Sequence, residues 1–126
     1  MLIYNNSHQC DSKMTVAKLN HSLNDPILKE VIARLVAAYK PLRIYLFGSH
    51  ARGTENADSD YDIFIIVDKN VSDELKSASL AYKTLWGIPA AVDVLVWTDQ
   101  QFQERLHLPN SLPAEIIREG LLLHVA

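Results

Sequence analysis

The sequence predicts a small mixed β-sheet with flanking helices, in the α+β or α/β class. Apolar residues recur at helical spacing over 26–39, which indicates an amphipathic helix. Short runs rich in branched and aromatic residues follow at 42–47, 60–67 and 90–97, with turn residues between them. Elements that alternate in this way pack as helices on a sheet. With 126 residues, the chain has room for one domain with a hydrophobic core.

The first elements follow from capping and turn residues. Asp25 and Pro26 predict the start of the first helix, because an aspartate caps the free amides and a proline needs none. This helix is expected to end at Tyr39, before a proline. The strand at 42–47 should then stop at Gly48, and a single helical turn should follow it.

The later elements have similar signals. The strand at 60–67 is apolar on both faces, which is typical of a buried central strand, and we expect the same of 90–97. Ser72 predicts a helix through about Leu85. The pair Thr98 and Gln101 matches a capping box. A last helix at 111–119, closed by Gly120, precedes an extended segment at 121–126. Trp86 and Trp97 are expected to pack inside the fold.

Composition excludes several classes of protein. Lys and Arg number 12 against 15 Asp and Glu, so no basic surface is expected for polymeric nucleic acid. The single cysteine, Cys10, favours a reducing, cytoplasmic setting, and the absence of a long apolar run argues against a membrane partner. Residues 1–22 are polar and aperiodic and predict a flexible N-terminal arm before a domain at 23–126, with Met14 as an alternative start to Met1.

Three acids occupy positions that call for a positive partner. Asp60 and Asp62 are two apart at a predicted strand, so their side chains leave the same face. Asp93 lies within another predicted buried strand, where an unpaired carboxylate would cost several kcal/mol. If these strands are neighbours, the three carboxylates converge. Such oxygen ligands favour Mg²⁺ or Mn²⁺ over zinc.

The segment before these acids can bind an anion. Gly48 permits a tight turn, the amides from Ser49 onward can face a phosphate, and Arg52 can fork onto one. A phosphate cradle that faces an acid cluster predicts a site for a Mg²⁺-nucleoside triphosphate.

These motifs resemble the signature of nucleotidyltransferases of the DNA polymerase beta superfamily. Gly48 and Ser49 are followed, after the ten residues 50–59, by an Asp-x-Asp at 60–62, and Asp93 matches the third carboxylate on the next strand. The resemblance implies a polymerase-beta-like nucleotidyltransferase fold. It also implies that Asp60, Asp62 and Asp93 hold two Mg²⁺ ions and carry catalysis.

The same resemblance implies roles for the phosphate segment and the third acid. Gly48, Ser49 and Arg52 would hold the β- and γ-phosphates of ATP, with pyrophosphate as the leaving group. Asp93 could also help remove the proton of the attacking hydroxyl. His50 falls at a variable position and is expected to be solvated, and Tyr61 is expected to be core.

The short chain is similar to the minimal nucleotidyltransferases (MNT) that pair with a HEPN-domain RNase toxin. That resemblance implies an antitoxin of a type VII-like toxin-antitoxin pair, a protein adenylyltransferase that places AMP on a tyrosine of the toxin. Two alternatives stay open at the level of sequence. One is an antitoxin that neutralises its toxin by binding alone, and the other is a transferase that acts on a small molecule.

Overall fold

A computed structural model describes residues 24–53 and 60–126. The predicted arm at 1–22 therefore lies outside the described residues. The described elements, in chain order, are α1 (Pro26–Tyr39), β1 (Arg43–Phe47), α2 (Gly48–Arg52), β2 (Tyr61–Val67), a 3-10 helix (Asp73–Lys76), α3 (Ser79–Thr84), β3 (Val92–Thr98), α4 (Asp99–Leu106), α5 (Leu112–Glu119) and β4 (Leu121–Val125).

The four strands form one mixed sheet in the order β3-β2-β1-β4. Strand β1 runs antiparallel to both β2 and β4, whereas β2 and β3 are parallel. The predicted mixed sheet with flanking helices is confirmed. The two central strands, β1 and β2, are the ones whose residues are nearly all buried, since a central strand is covered on each side.

Helices cover both faces of this sheet. On one face α1 and α3 pack against alternate residues of β1 and β2, and on the other face α4 and α5 pack against the intervening ones. The largest fully buried side chains of the two layers are Tyr39, Leu35, Ile44, Leu46, Ile63 and Ile65 on the first face and Phe64, Phe102, Ile66 and Ile116 on the second.

Capping residues set the ends of two helices as expected. The Asp25 Oδ1 atom accepts hydrogen bonds from the amides of Ile27 and Leu28 at the start of α1. At the start of α4, Thr98 and Gln101 exchange both bonds of a capping box. These local signals are readable in the sequence because the partners lie within three residues of one another.

The predicted helix from Ser72 to Leu85 is wrong in its continuity. It splits into a 3-10 helix and α3, with Ser77 in an extended conformation between them. The Tyr39 hydroxyl, on α1, donates a hydrogen bond of 2.5 Å to the Ser77 carbonyl. This contact ties the extended backbone at Ser77 to α1.

Two expectations about burial are also wrong. Strand β3 lies at an edge of the sheet, and Val94 is its only buried residue, so it is not a buried central strand. Trp86 is 82% exposed, on the turn after α3. Among the described residues, no helix is both long and apolar enough to cross a membrane.

We expect Ile65→Ala to lower the free energy of unfolding by roughly 2 to 5 kcal/mol, because Ile65 is fully buried in β2 and its loss leaves a cavity. Urea unfolding would measure this change in free energy. Leu108→Ala is the control, since Leu108 is 46% exposed and the change should stay within about 0.5 kcal/mol. Equal effects of the two substitutions would contradict the proposed position of the core.

Candidate active site

Two of the predicted acids lie side by side on neighbouring strands. Asp62 is the second residue of β2, Asp93 is the second residue of β3, and the two are register partners in the parallel pair. Partners in a parallel pair share a face of the sheet, and this is the face that carries α4 and α5. The two strands are therefore neighbours, the condition on which the convergence of the acids depended, and both carboxylates lie near the starts of these strands.

The two carboxylates differ in their exposure. Asp62 is half-buried, whereas Asp93 is exposed because β3 is an edge strand. The expectation that Asp93 is a buried acid is wrong, and the cost of burial therefore gives no argument for a metal at Asp93. Asp60 is exposed and immediately precedes β2.

Gly48 makes the closest approach to this acid pair. It follows β1 directly, in the left-handed region with φ +73°, and a Cβ atom built on it would overlap Asp62 Oδ2 and lie 3.1 Å from Asp62 Cγ. Both the positive φ and the nearby Asp62 carboxylate disfavour a side chain at this position. The turn into α2 and the Asp62 carboxylate are thus in contact.

Burial raises the pKa of the Asp62 carboxyl, and the charges of Asp93 and Asp60 raise it further. His50 and Arg52 act in the opposite direction but do not cancel the increase. Asp62 therefore lies close enough to both other acids to feel their charge. The folded chain concentrates negative charge around the starts of β2 and β3, which favours a cationic ligand.

The predicted phosphate-binding residues lie on α2, next to Asp62. Ser49 is half-buried, and its carbonyl accepts the amide of Gly53 at the end of the helix. Arg52 is exposed and forms a loose ion pair with Glu119 of α5, with 3.7 Å between Nη1 and Oε1. An exposed pair of this kind contributes little to stability, so the Arg52 guanidinium can exchange Glu119 for another anion.

A contact that sequence reasoning missed lies on the opposite face of β2. His50 is half-buried rather than solvated, and its ring stacks on Tyr61 with centroids 4.1 Å apart. The Tyr61 hydroxyl donates a hydrogen bond of 2.5 Å to Asp25 Oδ2, at the cap of α1. Tyr61 is core, as expected. No spacing rule predicts these contacts, because the three residues belong to different elements.

The acids are not arranged as a ready metal cage. Across residues 24–53 and 60–126, no three side chains of histidine, cysteine, aspartate or glutamate form a group that could hold a metal ion as they stand. The donor chemistry nevertheless fits a hard divalent cation, because the converging groups are carboxylates and their mutual repulsion is what a cation relieves.

Gly48→Ala should destabilise the fold more than Gly53→Ala does. Both glycines have positive φ, +73° and +77°, and each substitution should cost about 1 kcal/mol for that reason. Only Gly48 meets a neighbour, since a Cβ atom on Gly53 would have nothing within 4 Å. Urea unfolding should show a further loss of roughly 1 to 3 kcal/mol for Gly48→Ala, as in overpacking.

A double-mutant cycle checks the cause of that further loss. Asp62→Ala removes the atoms that the new Cβ would overlap, so the cost of Gly48→Ala should fall to that of Gly53→Ala in its presence. An unchanged cost would contradict the contact between Gly48 and Asp62.

Asp62→Asn should stabilise the fold at neutral pH in a buffer free of divalent cations. The pKa of Asp62 is raised in the folded state, so its ionised form is disfavoured there relative to the unfolded chain. This loss of stability is absent below the pKa that Asp62 has in the unfolded chain. It grows as pH rises through the pKa that Asp62 has in the folded protein, and it is complete above that pKa. Thermal unfolding between pH 3 and pH 8 should show the melting temperature of the variant rising relative to that of the wild type as pH increases. Asp68→Asn, at an exposed position after β2, is the control, and a gain of equal size there would refute the assignment.

Comparisons with known proteins agree with this geometry. A family profile described as "Nucleotidyltransferase domain" matches residues 28–123. By contrast, none of the curated proteins matches the chain.

Solved structures share the fold at low sequence identity. A protein named as a nucleotidyltransferase, from Sulfolobus solfataricus, is 20% identical with a TM-score of 0.51, over 86% of this chain and 84% of its own. A toxin-antitoxin structure with AMP-PNP is 22% identical with a TM-score of 0.52, over 78% and 73%. A mutant toxin-antitoxin structure, MntA-HpeT, is 21% identical with a TM-score of 0.50, over 75% and 71%.

The profile covers most of the chain, and the acid pair and the glycine-serine turn both lie within the matched residues. The fold is that of the polymerase-beta-like nucleotidyltransferases, and the chain belongs to the nucleotidyltransferase domain family.

Proposed function

We propose that this nucleotidyltransferase transfers AMP from ATP to a tyrosine hydroxyl of a partner protein, a HEPN RNase toxin, and so acts as its antitoxin. The observation that carries the proposal is the contact of Gly48 with Asp62, beside the register partner Asp93. It joins a turn suited to phosphate to a pair of carboxylates suited to a cation.

In this proposal Asp60, Asp62 and Asp93 would hold Mg²⁺, two ions in all. Bound Mg²⁺ supplies charge neutralisation of the triphosphate and of the attacking and leaving oxygens. The carboxylate donors and their unrelieved repulsion support this assignment. Cation binding should therefore also remove the stability penalty that Asp62 carries in the free protein.

The protein's own groups would orient the two substrates. The backbone at Gly48 and the hydroxyl of Ser49 would hold the β- and γ-phosphates, and Arg52 would leave Glu119 for a phosphate oxygen. Asp93 is exposed, so it can reach the hydroxyl of an incoming acceptor and accept its proton. The oxygen of that hydroxyl then bonds to the α-phosphorus as the bond to pyrophosphate breaks.

A toxin as the partner is supported by two of the structural neighbours, which are toxin-antitoxin structures, one of them with AMP-PNP. That ligand is an analogue of ATP, which supports ATP as the AMP donor. The HEPN identity of the toxin and the tyrosine acceptor come from the resemblance of the Gly-Ser and Asp-x-Asp motifs to the minimal nucleotidyltransferases. A cytoplasmic setting, where ATP is available, belongs to the same proposal.

One alternative is an antitoxin that neutralises its toxin by binding alone, and the toxin-antitoxin neighbours are equally compatible with it. The two functions separate in one experiment, because only the catalytic one needs the carboxylates.

We expect the purified protein, with ATP, Mg²⁺ and the co-expressed partner toxin, to add one or more increments of AMP mass to a tyrosine of the toxin. Asp60→Asn and Asp62→Asn should each lower the rate by at least about a hundredfold, because both remove charge from the reacting centre. Asp68→Asn, exposed and at the other end of β2, should leave the rate unchanged. Intact-mass spectrometry with peptide mapping would measure the adduct.

Two outcomes would contradict the catalytic proposal. One is a toxin without added AMP under conditions in which the wild-type protein still neutralises it. The other is neutralisation in cells that is undiminished in the double variant Asp60→Asn/Asp62→Asn, which would establish the binding antitoxin instead.

A further inference from the structure

Helix α2 contacts the start of β2 on both of its faces. Tyr61 and Asp62 are consecutive, so their side chains leave opposite faces of the strand. Gly48 lies against Asp62 on one face, and His50 stacks on Tyr61 on the other. Helix α2 therefore contacts β2 through Gly48 on one face of the strand and through His50 on the other, and these two residues are two positions apart in the helix.

The contact on the Tyr61 side continues into α1. Tyr61 is 8% exposed, and its hydroxyl donates to Asp25 Oδ2 while Asp25 Oδ1 caps the helix. Both carboxylate oxygens of Asp25 are thus used. Three elements meet at the Tyr61 ring, which fixes its orientation and gives His50 a rigid surface to stack on.

We propose that His50 is a positioning residue, whose stacked ring fixes α2 against β2 and so sets the place of Ser49 and Arg52 relative to Asp62. The inference rests on the proposed function for its kinetic consequence, because only a reaction between the two halves of the site depends on their spacing. In this proposal, the positioning is due to the flat ring of His50, which stacks on Tyr61. A phenyl ring at position 50 should therefore serve in its place.

The kinetic test compares His50→Ala with His50→Phe in the AMP-transfer assay. Loss of the ring should lower kcat roughly ten- to a hundredfold, with a change in the KM for ATP below about threefold, because misplacement costs the reaction more than the binding. His50→Phe should recover kcat to within about threefold of the wild type. His107→Ala, at an exposed histidine after α4, is the matched control and should change neither constant.

A second measurement is independent of catalysis. Hydrogen-deuterium exchange of the nucleotide-free protein reports the Gly53 amide, which donates to the Ser49 carbonyl at the end of α2. Exchange over residues 48–53 should accelerate in His50→Ala and return to the wild-type rate in His50→Phe. Tyr61→Phe keeps the stacked ring but loses the bond to Asp25, so it should accelerate exchange at the start of α1 with little effect on α2.

The outcomes distinguish this inference from the proposed function. If the wild type transfers no AMP, the proposed function fails, and the exchange measurement still decides whether the stack holds α2. If His50→Phe is as impaired as His50→Ala in both measurements, or if His50→Ala matches the wild type in both, the positioning role is overturned.

Discussion

The site depends on one close approach, that of the Gly48 backbone to the Asp62 carboxylate. Strand β1 ends at Phe47, which pairs with Asp62 across the antiparallel sheet, and the chain must turn in the next residue without a side chain in the way. A left-handed glycine meets both requirements. The rigid pairing of β1 with β2 thus places the first turn of α2 and the acid in fixed contact.

The position of the Asp62 carboxylate has an energetic cost in the free protein. Asp62 lies at the start of β2, a largely buried central strand, with Asp93 and Asp60 close enough to act on it, and burial and repulsion together raise the Asp62 pKa. A carboxylate kept where it is unfavourable is typical of a functional site. In the proposed function a cation and a triphosphate would offset the same cost.

The sequence predicts the features that depend on neighbours in the chain. The cap at Asp25 and the capping box at Thr98 both follow from short-range pattern, whereas the sequence left the pairing of the two acid-bearing strands as a condition, which the sheet meets. Features set by tertiary contacts were missed. Sheet order made β3 an edge and exposed Asp93, the predicted helix is broken at Ser77, where the Tyr39 hydroxyl bonds to the chain, and the fold brought His50 onto Tyr61.

Asp62 and Asp93 differ in exposure, and this difference indicates from which side each substrate of the proposed reaction would approach. Asp62 is half-buried against Gly48, on the side where the triphosphate would lie, whereas Asp93 is exposed on a strand at the edge of the sheet. A large acceptor cannot approach through the packed central strands, but it can approach an edge. Under the proposed function, the position of Asp93 on an edge strand is therefore what lets a residue of a folded partner protein reach the site, where a buried central strand would have closed it.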